Sequence, residues 1–203
     1  WCFWDAPQIE LSGKTMGILG FGTIGRRVAE LAHAFGMKVI AASARKSAAD
    51  LRASAAPVAF PVEFVELDEL FRASDVLSLH CPLTEENYHL INKDTISKMK
   101  DGVMLVNTSR GALIKTDDLI QGIRDGKFFA VGLDVYEETG TVYEDMSDRI
   151  LEHSTMARLL SFPNVMVTSH QGFFTVEALE AISRTTLDNA LAFVEGRESG
   201  NEL

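Results

Sequence analysis

Residues 15–45 read TMGILGFGTIGRRVAELAHAFGMKVIAASAR, and the rest of the chain is organised around them. Residues 16–19 are a short apolar run, and Gly20-Phe21-Gly22-Thr23-Ile24-Gly25 follows at once as G-x-G-x-x-G. Ile24, Val28, Leu31, Ala32 and Phe35 then recur at helical spacing, Gly36 stops the helix, and residues 37–42 form a second apolar run. The unit reads as strand, glycine turn, helix, strand. Gly20 permits the tight turn, Gly22 lets a phosphate approach the backbone, and Gly25 lets helix pack on strand. The helix start offers free N–H groups and the positive end of its dipole to a pyrophosphate. Gly20, Gly22, Thr23, Ile24 and Gly25 are therefore the expected nucleotide-binding turn. A glycine-rich turn in some other α/β domain is the alternative.

The end of the second strand ordinarily carries an acid for the ribose hydroxyls. Here the position is Ser43, followed by Ala44, Arg45 and Lys46. No carboxylate repels a 2′-phosphate, and two cations stand where they could pair with one. This favours NADP over NAD. The other reading makes Arg45 and Lys46 a solvated loop, with NAD bound without the acid.

The chain of 203 residues is 46% hydrophobic and 24% charged, enough for one well-buried domain or somewhat more. Its net charge of −10 argues against nucleic acid and anionic membrane as partners. It has no apolar run of spanning length and no basic n-region with an apolar core, so neither a membrane span nor a signal peptide is expected. Cys2 and Cys81 are its two cysteines, which make neither a disulfide framework nor a metal pattern and suggest a reducing cytoplasm. Trp at position 1 suggests a fragment or a processed product.

Strands are expected over 62–65, 76–79, 103–106, 128–133 and 164–167, and helices over 47–56, 67–73, 92–99, 116–124 and 175–195, with a helical turn over 156–160. Asn92 or Asp94, Thr116 and Thr175 are the expected caps. Strand and helix alternate, which predicts a doubly wound, mostly parallel α/β sheet of about seven strands, a Rossmann fold. Residues 1–14 read as a connection, 15–195 as the dinucleotide-binding domain and 196–203 as a C-terminal segment. Ligands bind beyond the C-terminal strand ends in such sheets. The polar residues leaving those ends are Ser43, His80, Asn107 to Arg110, Asp134 and His170. An Arg, a carboxylate and a His beside a nicotinamide site suggest hydride transfer to a 2-oxo acid. Arg110 would grip the substrate carboxylate, His170 would donate a proton to the carbonyl oxygen, and a Glu would fix the His tautomer. His33 reads as a surface or packing residue, His89 and His153 as solvated, and His80 as a structural hydrogen-bonding residue. The acidic run 137–152 has no metal-ligand spacing.

Gly20 to Gly25, LHCPLT (79–84), NTSRGALI (107–114), GLDVYEE (132–138) and VTSHQGF (167–173) together resemble the D-isomer-specific 2-hydroxyacid dehydrogenases. The later part is most similar to the fermentative D-lactate enzymes, the earlier part also to glycerate (hydroxypyruvate) dehydrogenases. The resemblance implies a substrate-binding role for Arg110, an acid/base role for His170 and a place near the nicotinamide carboxamide for Asp134. It implies cofactor-wall positions for Cys81, Pro82, Asn87, Thr108 and Ser109, and a homodimer. Where the family's catalytic Glu would fall this sequence has Thr139, so the role is assigned to Glu138, one residue earlier, with Glu137 as a solvated neighbour. The family also carries a substrate-covering domain before this point, so a chain lacking it should bind cofactor and turn over poorly or not at all. A non-catalytic NAD(P)-binding sensor or interaction module is the competing reading.

Overall fold

The structure, a computed structural model, describes residues 8–137 and 154–201. The chain divides into two units, Trp1–Ser169 and His170–Leu203. The first carries a sheet of seven strands in the order β3-β2-β1-β4-β5-β6-β7. The strands are β1 (Thr15–Leu19), β2 (Lys38–Ala42), β3 (Glu63–Phe64), β4 (Val76–Leu79), β5 (Val103–Asn107), β6 (Phe128–Leu133) and β7 (Val165–Val167), and each pairs in parallel with its neighbours. The helices are α1 (Thr23–Ala34), α2 (Ala48–Ser54), α3 (Leu67–Ala73), α4 (Lys93–Lys98), α5 (Thr116–Arg124) and α6 (Ser154–Leu160). The expected doubly wound sheet is present, and its strand order reverses between β1 and β4.

Two-residue alternation along the strands explains why helices cover both faces. Ile18, Val39, Ala41 and Val76 face a cluster with Ala29 and Ala32 of α1 and Leu51 of α2. Leu19, Ile40, Leu77, Leu79 and Leu105 face the opposite way, toward Leu70 and Phe71 of α3, Ile96 of α4, Leu119 and Ile123 of α5 and Leu159 of α6. Gly17 belongs to this packing, because a Cβ there would run into the Ser74 hydroxyl.

The structure departs from the sequence reading at four places. β3 is shorter: its ladder with β2 holds only Glu63 and Phe64, and the Val65 N–H adds one further bond to Ala41 O at 3.0 Å. Thr116 is the first residue of α5 rather than its cap, because a distant carboxylate, that of Glu137, accepts its N–H at 3.1 Å. Two three-residue 3-10 turns, Glu85–Asn87 and Gly111–Leu113, have no periodic signal to announce them. In α1, Ala29 and Ala32 face the sheet, while Ile24, Leu31 and Phe35 point outward, 67%, 61% and 62% exposed. Small residues at the contact let α1 lie close to the sheet, and the bulky apolar ones form a surface stripe.

In the second unit α7 (Val176–Glu195) is a long helix capped as expected by Thr175, whose hydroxyl accepts the Ala178 N–H at 3.2 Å, and closed by Gly196 in the left-handed region at φ 66. No helix of the described residues is long and apolar enough to cross a membrane.

Candidate functional site

The β1–α1 turn places its three glycines in three different environments. Gly20 has φ +99, and a Cβ on it would stand 2.7 Å from both the His80 carbonyl carbon and the Cys81 nitrogen. The β1 and β4 exits are thus in backbone contact, further tied by His80 N–H to Leu19 O at 2.7 Å. A Cβ on Gly25 would strike the Gly20 carbonyl oxygen, so α1 starts directly against the turn. Around Gly22 there is nothing within 4 Å of the same probe position. Gly22 is the N-cap of α1, no side chain caps that helix, and no acid lies in its first turn. An open, uncapped, acid-free helix start at the sheet's reversal point fits a dinucleotide pyrophosphate. Thr23 and Ile24 are exposed beside it.

At the end of β2 the Ser43 hydroxyl accepts the Arg45 N–H at 3.2 Å and shapes the turn. Lys46 Nζ donates to Ser54 Oγ at 2.8 Å, so it is tied to the end of α2. The exposed Arg45 reaches the β4 exit electrostatically: burial pushes the Cys81 thiol up, and the Arg45 charge pulls it the other way.

The wall after β4 is held by Asn87, which is 2% exposed. Its oxygen accepts the Thr84 N–H at 2.7 Å and its amide donates to Pro82 O at 2.8 Å. Asn87 therefore shapes the Cys81-Pro82 backbone from behind. His80 makes the structural hydrogen bond expected of it, with Ser78 Oγ at 2.8 Å, and burial pushes its pKa below the usual histidine value.

The β5 exit is a turn built on Asn107, fully buried. Its amide donates to Arg110 O at 2.9 Å and its oxygen accepts the Ser109 N–H at 3.0 Å. Ser109 Oγ donates to Cys81 O at 2.5 Å, joining the β5 and β4 exits. Thr108 is exposed at the tip. Arg110 is exposed, with Nη1 donating to Ser109 O at 2.8 Å. A cation so presented can bind a carboxylate through its remaining N–H donors.

After β6 the Asp134 N–H donates to Asn107 O at 2.9 Å, and its carboxylate accepts from Thr168 Oγ1 at 2.5 Å. Gly111 lies against this segment: a Cβ there would overlap the Tyr136 carbonyl. Glu137 is not a solvated neighbour, nor is His89. His89 Nε2 and Glu137 Oε1 are 2.5 Å apart, with side chains 24% and 25% exposed. Burial alone would raise the Glu137 pKa; the Thr116 and His89 contacts overcome this and hold it below its ordinary value. Glu138 lies outside the described residues, as does the acidic run beyond it. His170 opens the second unit with φ 56, a left-handed conformation unusual for a residue other than glycine. Among the described residues no group of His, Cys, Asp and Glu is arranged to hold a metal ion.

Residues 4–172 match the family described as D-isomer specific 2-hydroxyacid dehydrogenase, NAD binding domain. This chain belongs to that family. It is 44% identical over 192 residues to D-lactate dehydrogenase of Escherichia coli, a match covering 94% of this chain and 56% of that protein. The pyruvate reductase of Chlamydomonas reinhardtii superposes with a TM-score of 0.86 at 36% identity, over 99% of this chain and 60% of the other. D-lactate dehydrogenase from Aquifex aeolicus, complexed with NAD and lactic acid, gives 0.79 at 38% identity, over 93% and 55%. The chain spans about half the length of the curated relatives it matches. The seven-stranded sheet and helices α1 to α6 lie within the residues that match the family's NAD-binding domain.

Asn107, Gly111 and the Glu137–His89 pair are the features of this site that motif reading undervalued. Asn107 and Gly111 lie inside NTSRG, but their service is to the backbone. Glu137 and His89 are far apart in sequence, and no periodicity links them.

Proposed function

We propose that this chain binds NADP(H) or NAD(H) at the β1/β4 crevice and serves the reduction of a small 2-oxo acid to its D-2-hydroxy acid, in the manner of a D-lactate dehydrogenase. The observation that carries the proposal is the open face of Gly22 between two glycines that have no room for a side chain. The nicotinamide, when bound, supplies hydride transfer. The chain's own residues provide charge and position. Arg110 is exposed at the β5 exit and would hold the substrate carboxylate. His170 takes the proton-donor role by its place in VTSHQGF, and Glu138 the role of its carboxylate partner. Asp134 would face the nicotinamide carboxamide; Cys81, Pro82, Asn87, Thr108 and Ser109 would line or support the cofactor wall. Glycerate or hydroxypyruvate reduction is the same chemistry on another substrate. A non-catalytic NAD(P)-binding module is disfavoured by the joint presence of Arg110 and His170, which dinucleotide binding does not require.

Absence of an acid at Ser43 and the exposed Arg45 support acceptance of a 2′-phosphate; Lys46, occupied with Ser54, adds less. Titrating the chain with NADPH and NADH in parallel tests this. The expected result is tighter NADPH binding, with Arg45→Ala weakening NADPH about tenfold and NADH little. Equal or tighter NADH binding would remove the role given to Arg45. We further propose a homodimer, supported by the outward stripe of Ile24, Leu31 and Phe35 on α1; a monomeric mass in sedimentation would refute it.

A further inference from the structure

Residues 134–137 leave β6 and are anchored on several sides. Asp134 is bonded to Asn107 O and to Thr168, and the Tyr136 carbonyl rests on Gly111. The last anchor is the Glu137 carboxylate, and both of its oxygens are engaged. Oε1 meets His89 Nε2 on the loop between β4 and α4, and Oε2 accepts the Thr116 N–H at the start of α5. One carboxylate thus joins three loops at this end of the sheet.

His89 is equally fixed. Its backbone has φ 55, a conformation costing a non-glycine residue on the order of 1 kcal/mol. Its N–H donates to Ala112 O at 2.8 Å, and its carbonyl accepts from Asn92 Nδ2 at 2.9 Å. Its ring stacks on Tyr88 with centroids 3.9 Å apart. A merely solvated histidine has no need of a strained backbone locked at both ends. The strain is offset by bonds that aim the imidazole at Glu137.

Resting on the cofactor reading above, we propose that Glu137 and His89 form a latch that positions residues 134–137, and through Asp134 the nicotinamide end of the cofactor site. The adenine end is held by other means. Gly20 N–H donates to Ala42 O, His80 N–H donates to Leu19 O, and α1 starts on the Gly20 carbonyl; neither Glu137 nor His89 takes part in these contacts. The pair is therefore a positioning device for one half of the ligand.

ADP-ribose and NADH separate the two halves, since ADP-ribose lacks the nicotinamide. The 203-residue chain, Glu137→Gln, His89→Gln and the double variant are titrated with each ligand, following bound-nicotinamide fluorescence for NADH and competition for ADP-ribose. The expected result is ADP-ribose affinity within about twofold of the parent in every variant. NADH affinity falls about tenfold in each single variant, as for one lost charge-assisted hydrogen bond, and the bound fluorescence drops. The double variant loses no more than the singles, because one interaction is removed either way. Parallel weakening of both ligands would overturn the proposal by making the pair a general prop of the fold. Unchanged binding of both would overturn it outright. Should Glu137→Gln fail to fold, His89→Gln breaks the same contact from the loop side. A parent chain that binds neither ligand would refute the cofactor reading, a result distinct from parent binding that the variants leave untouched.

Discussion

Gly111→Ala is expected to destabilise the protein by about 3 kcal/mol, the upper end of the usual cost of overpacking. The added Cβ would coincide with the Tyr136 carbonyl and approach the Glu137 nitrogen at 2.6 Å. Its neighbours are backbone, so no side-chain rotation relieves the overlap. Neither partner is free to withdraw. On one side the Gly111–Leu113 turn is anchored by Leu113, which is fully buried, and by the Asn107 amide on Arg110 O. On the other, Tyr136 is buried and Glu137 is pinned to His89 and Thr116. The strain therefore passes into the β6 exit, and NADH binding should weaken with stability. Gly132→Ala in β6 is the control. Its Cβ would meet only the Val106 methyls, at 3.9 and 4.0 Å, and the expected change is below about 1 kcal/mol. Urea unfolding of both variants checks the pair; equal stability of Gly111→Ala and the parent would mean that the two loops separate at no cost.

The contrast between these glycines shows what the sequence could and could not convey. Strand and helix positions were legible because burial on a parallel sheet imposes a continuous pattern: β4, β6 and α3 fall where their apolar runs place them. Motif spacing located the turns at Gly20, Arg110 and Asp134 for a similar reason, since each sits at a strand end. What stayed hidden depends on pairs distant in the chain. Glu137 accepts the first N–H of α5, and His89 pairs with it; these contacts exist only once the β6 exit lies beside the start of α5 and the loop after β4. The outward face of α1 was hidden differently. Ile24, Leu31 and Phe35 have helical spacing, but periodicity names a stripe without saying what covers it, and here Gly25, Ala29 and Ala32 take the sheet side. Lys46 looked like a second cation for a phosphate, and the hydroxyl that engages it, Ser54, lies across α2.

Gly22→Val separates fold from function within the glycine motif. Gly22 has φ −86 and ψ −158, extended backbone open to any residue, and no atom lies within 4 Å of its would-be Cβ. Folding should tolerate the change, at a cost of about 1 kcal/mol for a poorer N-cap. The new side chain would fill the open face through which a pyrophosphate would reach the first N–H groups of α1, and dinucleotide affinity should fall by about a hundredfold or more. Gly20→Ala should do the reverse in order of cause. Its φ of +99 and its contact with the His80 and Cys81 backbone mean that stability goes first, and binding is lost with it. Thermal melting and ADP-ribose titration of the two variants distinguish the cases. If Gly22→Val keeps both its melting temperature and its affinity, the phosphates do not cross Gly22, and the open face of this turn has another use. If it loses affinity while holding its fold, the middle glycine is kept for the ligand, and the outer two are kept because β1, β4 and α1 meet there without room for a carbon.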